Sequence, residues 1–325
     1  MANVSVCIPT YNTAKYLPFA IESVLSQDYQ DYELVICDDA STDNTSDVCA
    51  GYKDSRIRYI RTAGKSGQGG IFNRCLQEAQ NQYVTILHAD DYFLPGFLSD
   101  RVSRLESDPN LDFVFGTVKQ IDASGNHIGD SGRWSEDRLF ARGELLEFML
   151  HGCILCPPSL MIRKACLEKV GLFRNDLTWG PDWEWDLRLA EHCSGYFTTQ
   201  AFAAYRVHDE SGTAEQLSAA KNGPQERQIL LETFSRLCEK DNSYKKLKRP
   251  VFQALSRRHM YFAEQALLGH RKSVTRSNLR YAALADPFML VRPNYWALLM
   301  GSLCGIKFYT SFRRIRGLAT KHPCV

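Results

Sequence analysis

Two pairs of adjacent carboxylates are the first candidates for chemistry, because like charges side by side repel each other and need a reason to stay. Asp38 and Asp39 close the apolar run "YELVIC", and Asp90 and Asp91 close "YVTILHA", with His88 just before them. Taken singly, each pair reads as a helix cap or a turn, where aspartate is common. Two pairs at equivalent strand ends read differently. Carboxylates beside a phosphate would repel it, whereas a hard divalent cation accepts oxygen ligands from both. The chemistry this spacing supports is a cation-bridged diphosphate.

The elements that must position these pairs follow from periodicity. Val4, Val6 and Ile8 alternate as in a strand that stops at Pro9, and Leu17, Ile21, Val24 and Leu25 then take helical spacing. Asn12 or Thr13 is placed to cap that helix, with Pro18 tolerable in its first turn. "YELVICDD", "IRYIR" and "YVTILHADD" read as further strands, separated by helices opening near "STDNTSDV" and in "GGIFNRCLQEAQ". Strands alternating with helices at this spacing predict an α/β fold, a mainly parallel sheet flanked by helices. Ligands of such sheets bind beyond the carboxyl ends of the strands, so both acidic pairs belong on one rim.

Composition bounds the rest. The chain has 325 residues, 44% hydrophobic and 23% charged, which is globular and neither disordered nor fibrous. Its eleven cysteines are scattered, and Cys153 and Cys156 form a C-x-x-C without a second pair, so reduced cytoplasmic thiols are expected. "ANVSVCIPTYN" enters a strand at once and leaves no room for an export signal. The late apolar run from Tyr295 to Ile306 is short of the roughly twenty residues that span a bilayer. Net charge is +2, but residues 242–325 hold 16 Lys and Arg against Glu264 and Asp286, a net of +14. Residues 1–241 carry 23 basic against 35 acidic residues, a net of −12. Two modules are therefore expected, residues 1–220 and 221–325.

Several function classes are excluded by what the motifs lack. "AGKSGQGG" has Tyr59 where a phosphate-cradling P-loop needs glycine, so it is read as a flexible connector. The first strand turns into "PTYN" and not into a dinucleotide-binding glycine fingerprint. No H-E-x-x-H and no G-x-S-x-G occurs. A noncatalytic protein touching nucleic acid through the +14 module is a remaining alternative, but no recognisable nucleic-acid motif accompanies the charge, so no specific nucleic-acid partner is expected. A sugar-phosphate nucleotidyltransferase, the second alternative, should have a glycine-rich basic loop after the first strand, and "IPTYN" is not one.

In order and approximate spacing, "VSVCIPTYN", "CDDASTDNT", "ILHADDYFLP", "PDWEWDLRL" and "YRVHDESGT" resemble the motifs of family 2 inverting glycosyltransferases of the GT-A fold, over about residues 1 to 215. The resemblance implies a metal-dependent transfer from a nucleotide sugar, a UDP-sugar above all, to an acceptor hydroxyl. Pro9, Thr10, Tyr11 and Asn12 match the turn at the nucleotide base, Asp39 the acid that reads uracil, and Asp38 its neighbour on the ribose side. Asp90 matches the last position of the family's D-x-D, the metal ligand, and Asp91 the acid that follows; His88 replaces the first acid. Mn2+ or Mg2+ is the implied cofactor, with His208 a third ligand. Asp182 matches the catalytic base, with Pro181 in place of the usual preceding acid; as an alternative it reads as the N-cap of its helix. Trp179, Trp183 and Trp185 around it could stack on an acceptor sugar or belong to the core. Arg206 is a weaker phosphate candidate.

The second module is helical by pattern. Leu230, Phe234 and Leu237 share a face, and "VFQALSRRHMYFAEQALLGH" with "SVTRSNLRYAALADP" reads as a helical hairpin. Beyond it an acid-free segment mixes aromatic residues with Lys307, Arg313, Arg314, Arg316 and Lys321. That composition suits peripheral contact with an anionic membrane, at its cytoplasmic face, or packing on the chain's own domain. Relatives with such tails point to a saccharide or lipid-linked saccharide acceptor in envelope polysaccharide synthesis. The segment from Gly116 to Leu139 reads as a loop or hairpin that shapes acceptor access.

Overall fold

The computed structural model describes residues 3–209, 211 and 222–315. Contacts divide the chain into a first unit, Met1–Met149 with Cys153–His208, and a second, Leu150–Gly152 with Asp209–Val325. The expected boundary at 220/221 lies outside the described residues, as do Arg316 and Lys321.

The first unit is built on strands β1 (Val4–Thr10), β2 (Tyr32–Asp38), β3 (Ile57–Arg61) and β4 (Tyr83–Ile86), all parallel in the order β3-β2-β1-β4. Every residue of β1 is buried, as expected of a strand covered on both faces. Between the strands run α1 (Leu17–Leu25), α2 (Thr45–Gly51) and α3 (Gly67–Glu78). α1 buries Leu17, Ala20, Ile21 and Val24, one stripe at helical spacing against the sheet. Its cap differs from expectation. Tyr16 is the N-cap, and Asn12 instead takes the left-handed conformation at φ 53°, so the chain turns before the helix starts. Pro18 lies in the first turn, where its missing N–H costs nothing.

The other half of the sheet was not legible from alternation. After β5 (Tyr92–Phe93) and α4 (Phe97–Ser107) come β6 (Phe113–Ile121), β7 (His127–Ser131) and β8 (Arg138–Phe140). Then follow α5 (Glu144–Met149), β9 (Met161–Arg163), α6 (Cys166–Val170), α7 (Pro181–His192) and β10 (Gly195–Arg206). β9 inserts antiparallel between β4 and β6, and β10 pairs parallel with β6, giving a mixed but mainly parallel sheet. The segment read as a loop or hairpin contains the hairpin of β6 and β7, turned at Gly125 with φ 89°. Val6, Ile8, Leu34, Phe97, Val114 and Ala203 belong to the core that joins both halves.

The second unit is helical: α8 (Asn222–Lys240), α9 (Lys248–Leu268), α10 (Lys272–Ala285), α11 (Pro293–Cys304) and α12 (Ile306–Ile315). Ala263, Leu267, Leu279, Leu298 and Tyr309 form its core. Gly301 is where α11 meets α9 and α12: a Cβ there would stand 2.7 Å from Leu267 and 2.9 Å from Tyr309, closer than carbon atoms approach.

Candidate active site

Parallel register brings the carboxyl ends of four strands to one edge. Thr10 pairs with Asp38, Asp38 with Arg61, and Cys7 with Ile86, so the loops that leave β1, β2, β3 and β4 emerge together. They are stitched to one another. The Asn12 backbone N–H donates to Ser41 Oγ at 2.9 Å, and Thr42 N–H donates to Asn12 Oδ1 at 2.7 Å. Pro9 and Thr10 are buried beneath this turn, and the Thr10 and Thr13 hydroxyls bond at 2.5 Å. Tyr11 stands at the rim, 37% exposed, with Lys65 Nζ 3.7 Å above its ring. Lys65 was passed over as part of a flexible connector.

That connector is in fact tied down, and the tie is Asp39. Ser66 N–H and hydroxyl both donate to Asp39 Oδ1 at 2.7 Å, and Gly67 N–H donates to Oδ2 at 3.0 Å. Asp39 therefore holds the N-terminus of α3, a favourable place for a carboxylate, and is 2% exposed. Asp38 requires a fuller correction. It is wholly buried, accepting from Ser41 N–H on one oxygen and from the Tyr59 hydroxyl and Arg61 on the other. Burial and that bond to Asp38 push the Tyr59 hydroxyl up to about 12, so it remains a donor. Wholly buried and bonded to Ser41, Tyr59 and Arg61, Asp38 braces the rim from beneath.

After β4, one ligand atom each from His88, Asp90 and Asp91 lies within 4.8 Å of the other two. Arg206, the last residue of β10, sets this loop: its backbone N–H donates to Asp91 Oδ1 at 2.8 Å and its Nε to the Asp90 carbonyl at 2.9 Å. Its Nη1 donates to the Asp122 and Ala123 carbonyls, and Tyr16 lies against the guanidinium, so Arg206 clamps this loop. His208 Nε2 lies 3.0 Å from Asp90 Oδ2, and the His208 ring packs on Tyr16. His208 thus falls outside the three-residue cluster and orients Asp90, as an outer partner of a ligand does; His88, read as a loss of charge, takes its place among the donors.

The electrostatics of the two acids differ. Burial works to raise Asp90, but the His208 bond and the nearby His88 outweigh it, and the carboxyl is held below its usual range. Burial and the neighbouring Asp90 push Asp91 well above that range, against the pull of the Arg206 N–H. Asp91 Oδ2 and His88 Nε2 are both buried without a hydrogen-bond partner. Orphaned acceptors of this kind, converging with a second carboxylate, fit a divalent cation.

Asp182 approaches from the other side, in the first turn of α7. Gly180, at φ 69°, is the N-cap and Pro181 follows it, so Asp182 is not the cap. It is half-buried and lines a cavity of about 40 Å³ together with His88, Phe72, Phe173, Trp185 and Asp186. Asp186 lies one turn on. Burial first, then the Asp182 charge, push it well above the usual carboxylate range. The expected aromatic wall is reduced. Trp183 and Trp185 are each 3% exposed, their indole N–H groups donating to the Met149 and Gly171 carbonyls, because α7 is buried on nearly every side. Trp179, ahead of the helix, is half-buried.

A mainly parallel sheet whose strand ends gather acids at one rim, with a carboxylate entering from a helix opposite, defines a GT-A glycosyltransferase. The family model for Glycosyl transferase family 2 matches residues 5–171, just over half of the chain, and the chain belongs to that family. An uncharacterized glycosyltransferase of Rickettsia typhi is 25% identical, covering 87% of this chain and 85% of its own. Chondroitin synthase of Escherichia coli is 27% identical over 75% of this chain and 34% of its own length. In structure the chain is similar to residues 1–349 of TarS of S. aureus in complex with UDP-GlcNAc. The TM-score is 0.58 at 17% identity, covering 89% of this chain and 92% of that one.

Proposed function

We propose that this glycosyltransferase moves a hexosyl or N-acetylhexosaminyl group from a UDP-sugar to an acceptor hydroxyl with inversion at the anomeric carbon. The observation that carries the reading is that Asp182 and His88, one member of the cation cluster, line one cavity. UDP-GlcNAc bound to TarS supports the donor class. Tyr11, exposed at the rim beside Lys65, offers a face for the base and a cation near it.

His88, Asp90 and Asp91 would hold the divalent cation, and an imidazole among carboxylates favours Mn2+ over Mg2+. When bound, that ion supplies Lewis-acid stabilisation to the diphosphate of the departing nucleotide. The chain's own residues do the rest. Asp182 accepts the proton of the acceptor hydroxyl as its oxygen attacks the anomeric carbon, while the bond to the diphosphate breaks on the opposite face. Burial and the Asp182 charge push Asp186, one turn away, well above the usual carboxylate range. His208 and Arg206 keep Asp90 and Asp91 in place. The acceptor is a saccharide or a lipid-linked saccharide, at the cytoplasmic face of a membrane; the chondroitin synthase relationship supports polysaccharide synthesis.

Incubation with a panel of UDP-sugars and Mn2+ tests this. Slow UDP release that stops on chelation is expected. Pyrophosphate-forming chemistry, or no release with any donor in the panel, overturns it.

A further inference from the structure

The second unit presents a continuous apolar strip that its own core does not use. In the 3-10 turn at Pro287–Val291, Phe288 and Val291 are 66% and 78% exposed while Met289 is buried. α11 puts Tyr295, Leu298 and Ser302 inward, and on its outer side Trp296, Met300 and Leu303 are 50%, 37% and 56% exposed. These three recur at one-face helical spacing, so they form a stripe. The Trp296 indole N–H donates to the Leu290 carbonyl at 2.7 Å, which joins the stripe to the turn. Exposed apolar residues are ordinary when scattered; a contiguous set marks an interaction surface.

Charge selects the occupant. From Pro287 to Val325 the sequence has six Lys and Arg and no Asp or Glu. Arg292 is exposed just before α11 and Lys307 in the first turn of α12 beyond it, and Arg280 on α10 and Arg314 on α12 are exposed as well. A second copy docked symmetrically would set this basic surface against itself. A bilayer with anionic headgroups offers the opposite charge to the bases and an apolar layer to the strip, with a tryptophan at the boundary. Among the described residues no helix is long and apolar enough to cross a membrane. We propose that the turn at Pro287–Val291 and the outer stripe of α11 dock on an anionic phospholipid surface, inserting Phe288, Val291, Trp296 and Leu303 between Arg292 and Lys307. This goes beyond the transfer reaction and does not rest on it.

Co-sedimentation of the full chain with vesicles of phosphatidylcholine, alone or mixed with phosphatidylglycerol, tests it. Pelleting with the anionic vesicles alone is expected, and it should fall as salt rises. Val291→Ser with Trp296→Ser, and separately Arg292→Glu with Lys307→Glu, should each weaken binding by more than about tenfold, since a base near such a surface contributes roughly fivefold. All four positions are exposed in the second unit, so UDP release from UDP-GlcNAc should be unchanged, which keeps this test separate from that of the reaction. No pelleting at low salt, wild-type binding by both double variants, or burial of Trp296 in a dimer in place of vesicle binding would each overturn the proposal.

Discussion

Asp182 is a carboxylate at the positive end of a helix, half-buried, beside the Asp186 carboxyl, which burial pushes well above the usual range. Replacing it by asparagine keeps shape and hydrogen bonding and removes the proton acceptor. Asp182→Asn should therefore bind UDP-GlcNAc as wild type does while its transfer rate falls roughly 10²- to 10⁴-fold, the usual contribution of a general base. Calorimetric titration beside a transfer assay checks both halves; undiminished transfer would place the base elsewhere. Residue identity alone did not separate acids that face the site from acids that hold it up. Asp38 and Asp39 share a motif, yet one braces Tyr59 and Arg61 and the other ties down α3. Arg206 and Ser66 act through backbone groups, which no residue pattern encodes. Trp183 and Trp185 stand two residues apart on opposite sides of α7, so no one-face spacing marked both as core; the helix is buried on nearly every side.

Elements were legible where period and burial agree. β1 to β4 and α1 to α3 are long enough, and covered evenly enough, for alternation and one-face spacing to survive. β5, β8 and β9 have two or three residues each, too few for a period, and they pair antiparallel with strands distant in sequence. The helical pair α9 and α10 was legible, but its polar seam was not. His259 is buried there, with Nδ1 2.9 Å from Asn278 Oδ1, its ring beside Tyr281, and Nε2 without a partner. Burial lowers its affinity for a proton; Asn278 and Glu226 oppose this, while Arg227 and Arg258 add to it. A depressed folded value means the stability it confers is present above the unfolded value, about 6.5, and is lost as pH falls through the folded one. The melting temperature of the helical unit should therefore drop between about pH 7 and pH 5. His259→Gln, which keeps a donor toward Asn278 and cannot charge, should flatten that drop; an unchanged slope in the variant would assign it to other groups.

At the scale of the molecule, two units with separate cores and opposite charge divide the work. Residues 1–208 carry 19 Lys and Arg against 28 Asp and Glu, a net of −9, and residues 209–325 carry 20 against 9, a net of +11, so acids concentrate in the part that holds His88, Asp90 and Asp91 and bases in the part with the apolar strip. Because Val6, Ile8 and Leu34 belong to one core and Leu267, Leu298 and Tyr309 to another, heating should resolve two transitions. A ligand stabilises only the folded form it binds, by about 2.7 kcal/mol at a hundred times its Kd. For a unit of about 200 residues, at roughly 2–4 °C per kcal/mol, UDP with Mn2+ should raise one transition by about 5–10 °C. Mn2+ or UDP alone should raise it less, because a cation held by His88, Asp90 and Asp91 would offset the repulsion between those acids and the diphosphate. The helical transition should not move with nucleotide and should instead respond to anionic vesicles. Scanning calorimetry with each addition in turn checks this division, and a single transition shifted equally by both would mean that the units unfold together.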